Sequence, residues 1–331
     1  MNIFNIRRLA FGIVVGGLLL LAPILQAHAM TVSPVRVELS GDPGTVVGGS
    51  FKVINEEKDA KTLYTSFENF EALGETGTPS FKPSKDGLAS WLNAPDKVDV
   101  NPGETKIIDF SVTIPKTAEP GGYFAAIFLG TNPPSSNPNQ LSIGARVGTL
   151  LLFRVNGDIQ EGAALLEFNT QNKIHWFSAL PVNYYYRFKN SGADRVLPKG
   201  SVTIRNTFGM KTKTIDANFG QGNVLPRSIR RFELWWQKNS DDPSQATAEP
   251  NNQGFFKAVT YEWNNFAFGR YSANLDLTYG SQSQKVNASV AIFVFPWQLL
   301  LVELLVLAIV YFIFRILIKR YNKWVIKNAR S

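Results

Sequence analysis

The 331-residue sequence predicts an all-β protein, with two tandem β-sandwich domains carried on one C-terminal transmembrane α-helix. Three observations point there. Short runs rich in Val, Thr, Phe and Tyr alternate with Gly, Pro and Asn turns from Thr31 to Phe295. No helical apolar period of useful length separates them. An apolar run then extends from Trp297 to Ile318, long enough for a bilayer core that needs about 20 helical residues.

In chain order, the first set of expected strands is Val35–Leu39, Ser50–Ile54, Leu63–Phe70, Lys106–Ile114, Tyr123–Leu129 and Val147–Val155. The second set is Leu165–Asn169, Val182–Phe188, Ser201–Arg205, Ser228–Trp236, Ala258–Trp263, Tyr271–Tyr279 and Lys285–Phe295. The sets are weakly self-similar. Phe51 to Asn55 and Tyr186 to Asn190 each end a strand in Asn before a turn, and Tyr123 and Tyr271 each open a later strand after Gly. Two related immunoglobulin-like sandwiches have this form, each tyrosine being a candidate for a corner-type hydroxyl bond to backbone. The expected domains are therefore 30–158 and 159–295. Two segments without an apolar anchor, Asn132–Gln140 and Asn239–Gln253, are expected to be long mobile loops.

At the N-terminus, Arg7 and Arg8 precede an apolar stretch from Leu9 to Leu25, and Ala27-His28-Ala29 is a small-x-small cleavage site. Residues 1–29 thus read as a signal peptide. Residues 296–318 read as the transmembrane helix, and 319–331 as a basic cytoplasmic tail. The expected topology is single-pass in the cell membrane, with the N-terminal ectodomain outside the cytoplasm.

The net charge of +8 is a property of the two ends. Arg7, Arg8, Arg315, Lys319, Arg320, Lys323, Lys327 and Arg330 account for all of it, so from Ala29 to Phe314 the remaining 26 basic residues equal the 26 acidic ones, Glu303 of the span included. A balanced ectodomain offers no phosphate-binding field, which excludes nucleic acid as a partner and leaves the positive-inside rule to explain the tail. The bilayer is the partner of the span, and the tail can also hold anionic lipid. Cysteine is absent, so the domains must fold on their hydrophobic cores alone, and export without cysteine leans toward a bacterial surface.

Catalytic chemistry has little to work with. Beyond the signal peptide the chain keeps one histidine, His175, and no cysteine, which leaves no material for a Cys-His pair or a zinc site. Calcium, phosphate and Ser-x-x-Lys motifs are missing as well. Asp96 with Asp99, and Glu56, Glu57 and Asp59, sit in polar turns beside lysine and read as solvated charge. We expect no enzyme, no metal and no cofactor.

Binding features carry more. Trp235 and Trp236 are adjacent on an expected strand, so they point to opposite faces; with Tyr185, the middle of three consecutive tyrosines, they are the candidate exposed aromatic contacts. An exposed ring stacks on sugars or anchors a partner, while the alternative is packing on a loop or across the domain interface. Glu303, about 9 Å along the helix from Trp297, is the candidate contact with another membrane span, against snorkelling or protonation.

Along the first domain, Val32-Ser33-Pro34, Asp42-Pro43-Gly44, the strand ending at Asn55, Trp91-Leu92, the run from Asn101 to Thr105, Ile114-Pro115, the run from Pro120 to Ile127 and that from Gly144 to Gly148 resemble the peptidoglycan-binding domain of WxL-interacting proteins. The overall layout is also similar to that family's. The match covers the first domain by motif and the remainder by architecture. It implies a membrane-anchored bacterial surface protein whose first domain contacts cell-wall peptidoglycan. The second would engage a surface or secreted protein, either a WxL partner or a host factor. The competing reading is a structural ectodomain subunit of a membrane complex assembled through the transmembrane helix.

Overall fold

The computed structural model describes residues 30–83, 86–133, 145–238 and 254–328, with side chains described as far as Trp324. The expected signal peptide and most of the two expected loops (134–140 and 239–253) lie outside the described residues.

The first sandwich comprises β1 (Met30–Ser33), β2 (Arg36–Gly41), β3 (Val46–Asn55), β4 (Lys61–Leu73), β5 (Thr78–Lys82), β6 (Leu92–Asn93), β7 (Lys97–Val100), β8 (Thr105–Thr113), β9 (Gly121–Gly130) and β10 (Arg146–Val155). One sheet has the order β1-β3-β8-β6; the other runs β2-β10-β9-β4-β5, with β7 also on β4. The second sandwich comprises β11 (Ala163–Thr170), β12 (Trp176–Phe177), β13 (Val182–Asn190), β14 (Lys199–Arg205), β15 (Lys211–Asp216), β16 (Ile229–Trp236), β17 (Gly269–Tyr279) and β18 (Gln284–Val294). Its sheets are β11-β13-β16 and β12-β18-β17-β14-β15. The chain is all-β in its sandwiches, as the strand pattern predicts.

Both units share one device. The opening strand is divided: one part pairs antiparallel with the next long strand (β1 with β3, β11 with β13). The other part crosses to the opposite sheet and runs parallel to the last strand (β2 with β10, β12 with β18). One short segment thereby covers an edge of each sheet, which would otherwise present unpaired backbone groups.

Alternation along the strands fills two separate cores. In β8, Ile108, Phe110 and Val112 point inward and meet Phe51 and Val53 of β3 and Leu151 and Phe153 of β10. In β13, Val182, Tyr184, Tyr186 and Phe188 pack against Val202, Ile204, Leu275 and Ile292. Fully burying one such side chain is worth about 1.5–3 kcal/mol, so these cores supply the stability that disulfides do not.

One expectation needs correction. Residues Ala258–Trp263 do not form a strand; they lie within α1 (Phe255–Asn264). Val259, Thr260, Tyr261 and Trp263 favour a pleated surface locally, but the helix lets Phe255 reach Trp297 and Glu262 reach the backbone of Leu299, and this packing overrides propensity. The last helix, α2 (Trp297–Asn328), runs on beyond Ile318 through the basic residues 319–328. Its segment Trp297–Trp324 is apolar and long enough to cross a membrane, its most apolar 18-residue stretch having mean hydropathy 2.7 and lying uncovered by the rest of the chain.

Candidate functional site

The described residues contain no group of three or more His, Cys, Asp or Glu side chains placed to hold a metal ion. His175 serves the fold through its backbone, its carbonyl accepting from the Phe293 N–H at 2.8 Å beside the β12–β18 pair. Two of the polar-turn carboxylates make side-chain contacts. Asp99 accepts from the Thr62 hydroxyl at 2.6 Å, and Glu57 pairs with Lys61 at 2.7 Å.

Of the three candidate aromatic contacts, two are corrected by burial. Trp236 is 3% exposed and meets Tyr271 edge-on at 4.7 Å, inside the second core. Tyr185 is 5% exposed although it points away from that core. The Arg231 guanidinium lies 3.8 Å above its ring and its hydroxyl donates to Glu167 at 2.8 Å, so ring and hydroxyl are both covered. Burial, then the Glu167 carboxylate, raises the Tyr185 hydroxyl above its ordinary pKa. Trp235 is half-buried on the outer face of β16. The three are not brought together, because Trp235 and Trp236 occupy opposite faces.

The charge around Tyr185 belongs to an interface between the sandwiches. The β4–β5 turn of the first domain delivers Glu75, which accepts from Arg187 Nε at 2.7 Å through its carboxylate and from the Arg231 N–H at 2.8 Å through its carbonyl. The hydrogen bond from Arg187 holds the Glu75 carboxyl below the usual carboxylate range. A second row of contacts lies at the domain junction. Glu38 pairs with Arg195 at 2.9 Å, Arg154 with Asp194 at 3.2 Å, and Arg36 donates to the Gln221 carbonyl at 2.9 Å. Sequence reasoning missed this surface because the partners in its pairings are far apart in the chain, Glu75 and Arg187 by 112 residues, and each looks like ordinary surface charge alone.

The motifs that carry the family resemblance sit in turns and contacts that shape the fold. Asp42-Pro43-Gly44 closes the β2–β3 turn, with the Thr45 N–H donating to the Asp42 carbonyl. Trp91 packs on Tyr123 with ring centroids 4.6 Å apart, and the Tyr123 hydroxyl donates to the Glu119 carbonyl at 3.1 Å, the expected corner-type bond. In the second sandwich, the Tyr271 hydroxyl accepts from the Phe268 N–H at 3.4 Å. Gly121-Gly122 is required by the second domain. The Gly122 N–H donates to the Ala193 carbonyl at 2.9 Å, and a Cβ on Gly122 would stand 2.5 Å from Asp194 Oδ1.

Two concavities among the described residues bear on the site. A cleft of about 300 Å³ at the domain junction is lined by Arg154, Glu161, Asp194, Arg195, Lys199 and Tyr279. An apolar groove of about 790 Å³ lies where β18 hands over to α2, lined by Trp176, Phe208, Phe268, Arg270, Phe293 and Phe295. Beyond it, Glu303 is exposed on α2.

No family model matches this sequence, and no curated protein matches it. Among solved structures, the class 5 fimbriae chaperone CfaA is 12% identical over 80% of this chain and 99% of its own, with a TM-score of 0.37. The Pseudomonas aeruginosa CupB2 chaperone is 11% identical over 79% of this chain and 100% of its own, with a TM-score of 0.34. The E. coli chaperone DraB is 11% identical over 79% of this chain and 98% of its own, with a TM-score of 0.34. Likeness this distant says nothing about partners.

Proposed function

We propose that this chain is a membrane-anchored, non-enzymatic binding protein of a bacterial surface. Its two fused sandwiches stand outside the cytoplasm, and α2 crosses the membrane once. The observation that carries the reading is the direct handover from β18 to α2: only Phe295 and Pro296 separate the last strand from a helix whose apolar surface the rest of the chain leaves uncovered. Such a surface suits a lipid surrounding. In this reading the sandwiches act by contact.

Peptidoglycan is the proposed ligand of the first domain, supported by the motif resemblance, with a surface or secreted protein as the proposed partner of the second. The full chain in detergent micelles, incubated with insoluble peptidoglycan and centrifuged, is expected in the pellet. Recovery in the supernatant at all protein concentrations would remove the wall from the proposal.

The exposed Glu303 favours a second reading, in which another membrane protein pairs with α2. Glu303→Leu is then expected to release a membrane partner that co-purifies with the unaltered chain.

A further inference from the structure

The handover end of the second sandwich carries large exposed aromatic side chains that a water-facing surface does not need. Phe208, at the β14–β15 turn, is 83% exposed; Trp176, Phe268 and Phe295 stand around the same groove. Trp176 stacks on Phe293 at 4.9 Å, and Phe268 meets Phe295 at 6.0 Å. Trp297, the first residue of α2, continues the patch, and Phe255 of α1 contacts it at 6.4 Å. The patch is therefore continuous with the apolar surface of α2.

Helix α1 is inverted in polarity. Its single fully buried residue is a carboxylate, Glu262, while Phe256 (81% exposed) and Trp263 (64% exposed), one two-turn step apart on one face, point outward. A helix bathed in water would present the opposite arrangement. The buried carboxylate acts locally. Glu262 Oε2 accepts from the Leu299 N–H at 2.7 Å, satisfying one of the amides that the first turn of α2 leaves without an intrahelical partner. At its other end α1 is tied to the sandwich, where the Leu180 N–H donates to the Asn265 carbonyl at 3.1 Å. Its height relative to α2 is thus fixed. Lys257 and Arg270 border the aromatics.

We infer that this end of the second sandwich is itself seated in the lipid interface, with α1 lying along the membrane and the groove beside Phe208 occupied by phospholipid of the leaflet that α2 enters. The inference rests on α2 being a span and adds a second contact to it. Phe and Trp rings belong at headgroup depth, where one part of the ring is apolar and another wet, and an amphipathic helix with Phe and Trp on its outer face and Lys beside them suits that plane. Lys257 and Arg270 would meet lipid phosphates. A rigid collar of this kind also fixes the orientation of the sandwiches over the membrane, because α1 is fastened to both α2 and the second sandwich.

The absence of cysteine makes the test clean. Single variants Phe208→Cys, Phe256→Cys and Trp263→Cys of the full chain carry a nitroxide label in nanodiscs of phosphatidylcholine and phosphatidylglycerol. Leu305→Cys reports the span, and Ile107→Cys, exposed on β8, reports water. Collision with oxygen is compared with collision with a water-soluble nickel chelate. We expect the oxygen-to-nickel ratio at 208, 256 and 263 to shift from the value at 107 toward that at 305. Water-like ratios at all three with a lipid-like 305 would overturn the collar and leave the span. A water-like ratio at 305 would overturn both. Shielding of all three from both reagents would mean that a second copy covers the face, and would likewise overturn the collar.

Discussion

Asn55 and Asn190 are the same residue in two sandwiches. Each is fully buried at the end of a strand, and each uses its side chain in the same way. The Asn55 amide donates to the carbonyl of Asp59, four residues on, and to the distant Val100 carbonyl, while its Oδ1 accepts from the Glu57 N–H. Asn190 donates to Asp194, four residues on, and to the distant Val224, and accepts from Gly192. One amide side chain thus folds the turn that follows its strand and ties that turn to a neighbouring loop.

Replacing either residue with Ala leaves several backbone groups without partners in a dry site. Each of Asn55→Ala and Asn190→Ala is expected to lower unfolding free energy by roughly 1–3 kcal/mol or more, measured by urea denaturation of the full chain in micelles. Unchanged midpoints would contradict the role given to these side chains.

The Glu75 contact gives the domain interface a pH dependence. Arg187 depresses the folded pKa of Glu75 below its ordinary value of 4.5. The stabilisation is therefore present at pH above that value and is lost as pH falls through the lower, folded pKa. Glu167, depressed by Lys173 and Tyr185, acts in the same direction. The Glu75 carboxylate and its Arg187 partner are each about one third exposed, so solvent screening holds the contribution of the pair to about 1 kcal/mol or less. Amide exchange at Arg231 is expected to gain an acid-dependent component as the solution is acidified below pH 4.5, and Glu75→Gln is expected to remove that component. Identical acid profiles for the two proteins would refute the assignment.

Gly122 meets the second domain at backbone distance. Gly122→Val is expected to separate the sandwiches without unfolding either, since its obstruction is Asp194 of the other unit as well as Phe124 of its own strand. Small-angle scattering would register a larger radius of gyration while the β-sheet circular dichroism holds. An unchanged radius would contradict the close approach.

Glu262→Ala is expected to destabilise the first turn of α2 by about 0.5–2 kcal/mol, the usual worth of a lost cap, with Glu262→Gln milder because its amide oxygen can still accept. Hydrogen exchange at the Leu299 amide measures both. Equal exchange in all three proteins would show that the cap is idle.

What the sequence discloses and withholds follows from the range of the interactions. The strand ending in Asn and the Gly-x-Tyr strand start are legible because each makes a bond that closes within a few residues, as Asn55 to Asp59 and Tyr123 to Glu119 show. Strand alternation correctly separates Trp235 from Trp236, but which face lies inside depends on Tyr271, far along the chain. Tyr185 points outward and is covered by Arg231 of the neighbouring strand, a cation–π lid that alternation cannot signal. Helix α1 resembles a strand in sequence because Val259, Thr260 and Tyr261 fit one, and only its docking on Trp297 and Leu299 selects the helix. The interface built from Glu75, Arg187 and Arg231 has no local trace at all.

The proposed function requires the sandwiches and the end of α2 to lie on opposite sides of one membrane. In spheroplasts expressing Ile107→Cys or Lys323→Cys, a membrane-impermeant maleimide is expected to label position 107 at once and position 323 only after lysis. Labelling of 323 in intact spheroplasts, or protection of 107 until lysis, would contradict that topology.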